Sequence, residues 1–125
     1  MDERVKDLLE ALAARSLERP LPAAVNGVVR LDVDHAGTTE EWYLAIRKGV
    51  ATVAREGGAP DCVLRADAAT FVAVLSGEAN MMAALLRGAL EAEGRMLLLV
   101  VLQQLTPGET AGADVPAAGY ARRQS

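Results

Sequence analysis

Few residues in this 125-residue sequence are of types that make and break bonds, and each is weighed first for the chemistry it would perform. Asp32 and Asp34 stand two apart in a stretch of alternating apolar and polar residues, so both share one face of a strand. Paired carboxylates there would work as general acid and base. His35 follows directly and would serve such a site as proton acceptor. Cys62, the single cysteine, would be a nucleophile only beside a base or a helix N-terminus; its neighbours are Asp61 and Val63. Ser76 precedes Gly77, which is the pairing of a helix stop. A phosphate loop, a dinucleotide fingerprint, a serine elbow and a two-histidine metal motif are all absent from the sequence. One histidine and one cysteine far apart do not make a four-ligand zinc cage, and no loop has calcium-binding spacing. The plainer reading is therefore preferred for each: aspartates on the polar side of a strand, a solvated histidine, an inert buried thiol and a helix cap. No catalytic residue, metal or cofactor is expected, and the chain is not expected to be an enzyme.

The elements that would position these residues follow from hydrophobic periodicity. Val5, Leu8, Leu9 and Leu12 fall at helical spacing, so a helix is predicted over residues 2–15, ended by Pro20 and Pro22. Residues 28–34 alternate, with Val29, Leu31 and Val33 on one face. A turn is expected at 37–39. Residues 41–47 alternate again, with Trp42, Leu44 and Ile46 inward, and Lys48-Gly49 has the composition of a two-residue hairpin turn. Strands over 50–55 and 62–65 follow, separated by the breaker Gly57-Gly58-Ala59-Pro60. Such close spacing predicts an antiparallel meander of four strands. The period then changes. Asp67 is a good N-cap for a helix over 68–75 stopped by Gly77, and a second helix is expected over 80–87. Residues 89–93 suit a fifth strand. Residues 95–105 are read as a helix from their length and leucine content. From 106 onward Pro, Gly, Ala and polar residues predominate, which predicts a disordered tail over 106–125 and one domain over 1–105. Strands segregated from helices in sequence give an α+β class, with helices packed on one face of a five-stranded, mostly antiparallel sheet.

Composition narrows the function. Only 3% of the residues are aromatic and the net charge is −4, so base stacking and attraction to phosphate are both weak, and no nucleic-acid partner is expected. The lone cysteine fits a reducing compartment. The first 17 residues are charged throughout, unlike a secretory leader, and the longest apolar run, 96–102, is far short of the roughly 20 residues that span a bilayer. A cytoplasmic location is expected. What remains is apolar. Phe71, Val72 and Leu75 line one helix face, and Met81, Met82, Leu85 and Leu86 the next. The run 96–102 is apolar all round and needs burial on more than one side. A packed core and a core with room for a ligand both satisfy these residues.

Several stretches together resemble the sterol carrier protein 2 (SCP2) sterol-binding domain family. They are Trp-Tyr-Leu-Ala-Ile-Arg-Lys-Gly at 42–49, Ala-Pro-Asp-Cys-Val-Leu-Arg-Ala-Asp at 59–67 and Phe-Val-Ala-Val-Leu-Ser-Gly at 71–77. Gly-Ala-Leu-Glu-Ala-Glu-Gly at 88–94 and Leu-Gln-Gln-Leu at 102–105 complete the set. Their order and spacing agree with the predicted elements over residues 27–105. Ala89 and Ala92 stand where that family tends to have a basic and a larger aliphatic residue. The terminal Arg-Gln-Ser at 123–125 is not a Ser-Lys-Leu peroxisomal address, which points with the Ala- and Arg-rich composition to a bacterial source. The resemblance implies an apolar tunnel between sheet and helices that holds a fatty acid, an acyl-CoA or a sterol-like lipid; a transient membrane contact is a separate partner expectation. The lining residues expected are Leu31, Leu44, Phe71, Leu75, Met82, Leu85, Leu98, Val101 and Leu102. The competing expectation is a structural module with a filled pocket that forms a homodimer or docks a partner through the last helix.

Overall fold

Helix α1 (Arg4–Glu18) turns its stripe of Val5, Leu9 and Leu12 fully inward and keeps its charges outside. The computed structural model describes residues 4–107. The chain then runs through β1 (Gly27–His35), β2 (Thr38–Arg47), β3 (Val50–Ala54), β4 (Cys62–Asp67), α2 (Ala68–Leu75), α3 (Met81–Leu86), β5 (Glu91–Gly94) and α4 (Met96–Gln103). The five strands form one sheet in the order β3-β2-β1-β4-β5. Period-two alternation sends Val29, Leu31, Val33, Trp42, Leu44, Ile46, Ala51, Cys62 and Leu64 to the covered face, where the helices add Phe71, Val74, Leu75, Leu98 and Leu102. The opposite face carries Arg30, Asp32, Tyr43, Arg65 and Glu91, as the α+β class requires.

The expected four-strand meander is corrected at its last step. β4 does not continue past β3 but pairs in parallel with β1, with Leu31 opposite Leu64, while the other three pairings are antiparallel. The reason lies in the edge of β3. Helix α1 packs against it, and the Ser16 hydroxyl accepts the Ala51 N–H at 2.9 Å, so part of that edge is already occupied. The chain instead crosses back at 55–61. Gly57 passes so close to the Tyr43 ring that a Cβ there would lie 2.6 Å from it. Asp61 completes the crossing: its N–H donates to Val28 O at 2.8 Å, and its carboxylate accepts the Val28 N–H at 2.9 Å.

Local chemistry explains the other boundaries. The first hairpin turns at Ala36-Gly37, both at positive φ, and Asp34 Oδ1 accepts the Gly37 N–H. Thr38 and Thr39, expected in the turn, therefore belong to β2. Lys48 and Gly49 form the second hairpin turn with φ of 54° and 82°, as their composition predicts. A side chain at Gly49 would also meet Leu21 O. Asp67 caps α2 by accepting the Thr70 N–H at 2.8 Å, and Asn80 caps α3 through the Ala83 N–H at 2.9 Å. β5 begins later than expected because the N–H groups of Ala89 and Leu90 are still spent on Ala84 O at the exit of α3. Thr106 is buried and its hydroxyl donates to Gln103 O; the remainder of the expected tail, from residue 108, lies outside the described residues.

Candidate functional site

The nine residues expected to line a ligand site come from the middle of the sheet and from three helices. Leu31 and Leu44 project from the neighbouring strands β1 and β2. Phe71 and Leu75 come down from α2, Met82 and Leu85 from α3, and Leu98, Val101 and Leu102 from α4. The structure brings all nine to one apolar cluster. Seven are buried, while Met82 and Leu85 are partly exposed and pack against it. Asp67 fixes the start of α2 above β4. Asp61 O accepts the Arg95 N–H at 2.8 Å and so fixes the start of α4 beside β5. An apolar chain laid in this cluster would touch only hydrocarbon and the thioether of Met82. In the structure that space is taken up by protein: Phe71, Leu31, Leu44 and Leu98 are no more than 1% exposed. Four surface grooves among the described residues, of about 770, 430, 390 and 250 Å³, are lined by none of the nine. Among the described residues an open tunnel is thus not seen.

Helix α3 is the least enclosed cover of the cluster. It has six residues, of which only Met81 and Ala84 are buried, and Leu86 stands 85% exposed. Methionine and leucine side chains on so short a helix rearrange at small cost. Helix α4 is buried on one side and presents Met96, Leu97 and Val100 on the other.

The residues first weighed for catalysis are held in other work. Asp32 is buried on the far face of the sheet, paired with Arg30 at 2.8 Å and near Arg65 at 3.7 Å. The carboxylate raises the Arg30 pKa through their hydrogen bond. Asp34 caps the first hairpin. His35 meets Glu40 at 2.9 Å on the other face, so it does not join the two aspartates. Cys62 is buried, and burial first and Asp61 second push its thiol pKa up, away from reactivity. Ser76 Oγ donates to Ala73 O at the end of α2. Among the described residues, no three His, Cys, Asp or Glu side chains gather so that they could hold a metal ion. No helix among them is long and apolar enough to cross a membrane.

Sequence reasoning passed over a second cluster. Glu40, with its side chain only 8% exposed, accepts hydrogen bonds from Arg55 Nη1 at 3.0 Å and pairs with His35. The Arg55 guanidinium lies 4.2 Å from the centre of the Trp42 ring. Together with Lys6 and Glu10 of α1, Glu40, Trp42 and Arg55 wall the 770 Å³ groove. The Trp42 indole N–H is buried without a partner among the described residues. A signal for Glu40 existed: the alternation that places Trp42, Leu44 and Ile46 inward places Glu40 inward too, once β2 is known to begin at Thr38.

The model of the SCP-2 sterol transfer family matches residues 5–107. The chain belongs to that family. Among solved structures, SCP-2 from Aedes aegypti, in complex with the C16 fatty acid palmitate, is 18% identical, with a TM-score of 0.68 over 86% of this chain and 98% of that one. A palmitated SCP2L2 from the same organism is 19% identical, with a TM-score of 0.64 over 82% of this chain and 91% of that one. A stereoselective inverting sec-alkylsulfatase from Pseudomonas sp. shares the fold as well, at 12% identity and a TM-score of 0.55 over 78% of this chain but only 14% of its own. No curated protein matches the sequence. The SCP-2 likeness expected from the short stretches between 42 and 105 therefore holds for family and fold, including the mixed sheet that the sequence read as a plain meander.

Proposed function

We propose that this protein binds and transfers hydrophobic ligands of the fatty acid, acyl-CoA or sterol type, without catalysis, in a site formed where the nine core residues meet. Membership of the SCP-2 sterol transfer family carries this reading, supported by the palmitate held by an Aedes aegypti relative of the same fold. The working unit is a single lipid-binding domain over 1–105, acting in the cytoplasm.

The driving force is removal of an alkyl chain from water, about 0.8 kcal/mol per CH₂, so a ten-carbon chain gains ~8 kcal/mol before ordering costs. Part of that gain is spent in opening the packed cluster. α3 is the element best suited to yield, because Met82 and Leu85 already stand half out of the core. Leu31 and Leu44 form the floor; Phe71, Leu75, Leu98, Val101 and Leu102 form the walls. Selectivity among chain lengths is broad, since one methylene in an apolar site discriminates weakly. The test is titration of the delipidated protein with a fluorescent fatty acid. Saturable micromolar binding is expected, and its absence at tens of micromolar overturns the carrier reading. Native mass spectrometry of protein taken from cells identifies the ligand class.

A second reading draws on the closed interior: the domain keeps the fold, fills its pocket with its own side chains and docks a partner through α4. A stable dimer by light scattering, with no ligand bound, would decide for it.

A further inference from the structure

Helix α4 is apolar on opposite sides. Leu98, Leu99, Val101 and Leu102 are buried, while Met96, Leu97 and Val100 are 40, 52 and 45% exposed. Such a helix needs a neighbour other than water on each side. The inner neighbour is the core. The outer face bears no charge anywhere in Met96–Gln103, and the cation next to it, Arg95, donates to Asn26 O at 3.0 Å. A second copy of the chain and a lipid bilayer are both apolar enough to cover it, and area separates them. Three half-exposed side chains present at most a few hundred Å², whereas a stable interface buries about 800 Å² on each partner. Self-association through this face alone falls short. A bilayer surface sets no such requirement, and a weak, reversible contact is what a carrier that must leave again needs.

We infer that the Met96, Leu97 and Val100 face of α4 docks transiently on a lipid bilayer, and that a ligand chain passes between bilayer and core beside this helix. The inference rests on the lipid-carrier reading above. Because the face is uncharged and the chain carries a net charge of −4, the contact is to neutral, zwitterionic lipid, and added salt leaves it intact. The two sides of α4 then divide the labour: the inner one touches the guest and the outer one touches its source.

The experiment uses the full chain, phosphatidylcholine vesicles carrying a fluorescent fatty acid, and the double variant Leu97→Gln, Val100→Gln. Both substituted residues lie outside the proposed lining. For the unaltered protein, co-sedimentation with vesicles is expected to persist in about 0.5 M salt, and the ligand transfer rate to rise with acceptor-vesicle concentration. In the double variant, co-sedimentation is expected to fall about tenfold and the vesicle dependence of transfer to vanish. Ligand titration without vesicles, and the circular dichroism spectrum, stay unchanged. Equal co-sedimentation of both proteins overturns the inference. So does binding confined to anionic vesicles and abolished by salt, or a sedimentation-velocity dimer that the double variant dissociates. Loss of saturable ligand binding in the vesicle-free titration of the unaltered protein refutes the carrier reading instead, and is read independently of the docking.

Discussion

Asp67 ends β4 and opens α2, and its carboxylate accepts the Thr70 N–H at 2.8 Å. That hydrogen bond favours the charged form and holds the Asp67 pKa below the ordinary carboxylate value. The stabilisation is therefore present above the unfolded-state pKa, near 3.9, and is lost as pH falls through the lower folded value. Asp67→Ala is expected to cost about 1 kcal/mol at pH 7 by urea unfolding, in line with other N-cap removals, and the gap between variant and parent should narrow as the pH is lowered from 5 toward 3. A gap that stays constant over that range would mean the carboxylate is not the cap. Cys62 offers a contrasting case on the same strand. Its thiol is buried and its pKa raised, so the folded protein should react with a disulfide reagent at pH 8 at least about a hundredfold more slowly than the urea-unfolded chain. Fast labelling of the folded protein would revive the nucleophile that the sequence alone left conceivable.

At the scale of elements, the helix caps and hairpins were legible because they are local. Asp67 with Gly77, and Lys48 with Gly49, announce themselves within a few residues. The parallel pairing of β1 with β4 was not legible, because what forbids the meander is a contact between α1 and β3, 35 residues apart at Ser16 and Ala51. Nothing in either segment by itself says that a serine in the last turns of a helix will occupy a strand edge. The same limit hid Asp61, whose backbone and carboxylate bind Val28 on β1 while its carbonyl accepts from Arg95 at the start of α4. The nine lining candidates were legible as core from periodicity, since helices and strands mark their inner faces. Whether a core has room for a guest depends on how side chains from five elements interlock, which no single period encodes. Ser16→Ala should expose the cost of the hidden contact. It leaves the buried Ala51 N–H without its acceptor and is expected to lower stability by ~1–3 kcal/mol, read as a shift of the urea midpoint. A neutral result would show that α1 packing, and not the hydroxyl, keeps β4 from the edge of β3.

For the whole molecule, the difference between a carrier and a filled module is thermodynamic linkage. A ligand that binds the native state at one hundred times its Kd adds about 2.7 kcal/mol to stability, which for a domain of this size is a Tm rise of roughly 10–20 °C. A native core that must open to admit the ligand binds it with an affinity reduced by the fraction of open molecules. Removing a side chain that fills the site should therefore act in two directions at once. Phe71 is among the largest fully buried side chains and hangs from α2 over the sheet. Phe71→Ala is expected to cost ~3–5 kcal/mol in the ligand-free protein. If the acyl chain lies where Phe71 and its neighbours meet, the ligand fills part of the vacated space without the cost of opening it. At a fixed palmitate concentration, the ligand-induced Tm rise should then be larger in the variant than in the parent. A filled module responds differently: the variant melts lower and palmitate moves neither protein. A site elsewhere on the surface gives a third pattern, with equal ligand-induced rises in both, so calorimetry of two proteins with and without palmitate assigns the guest to the core, to the surface or to neither.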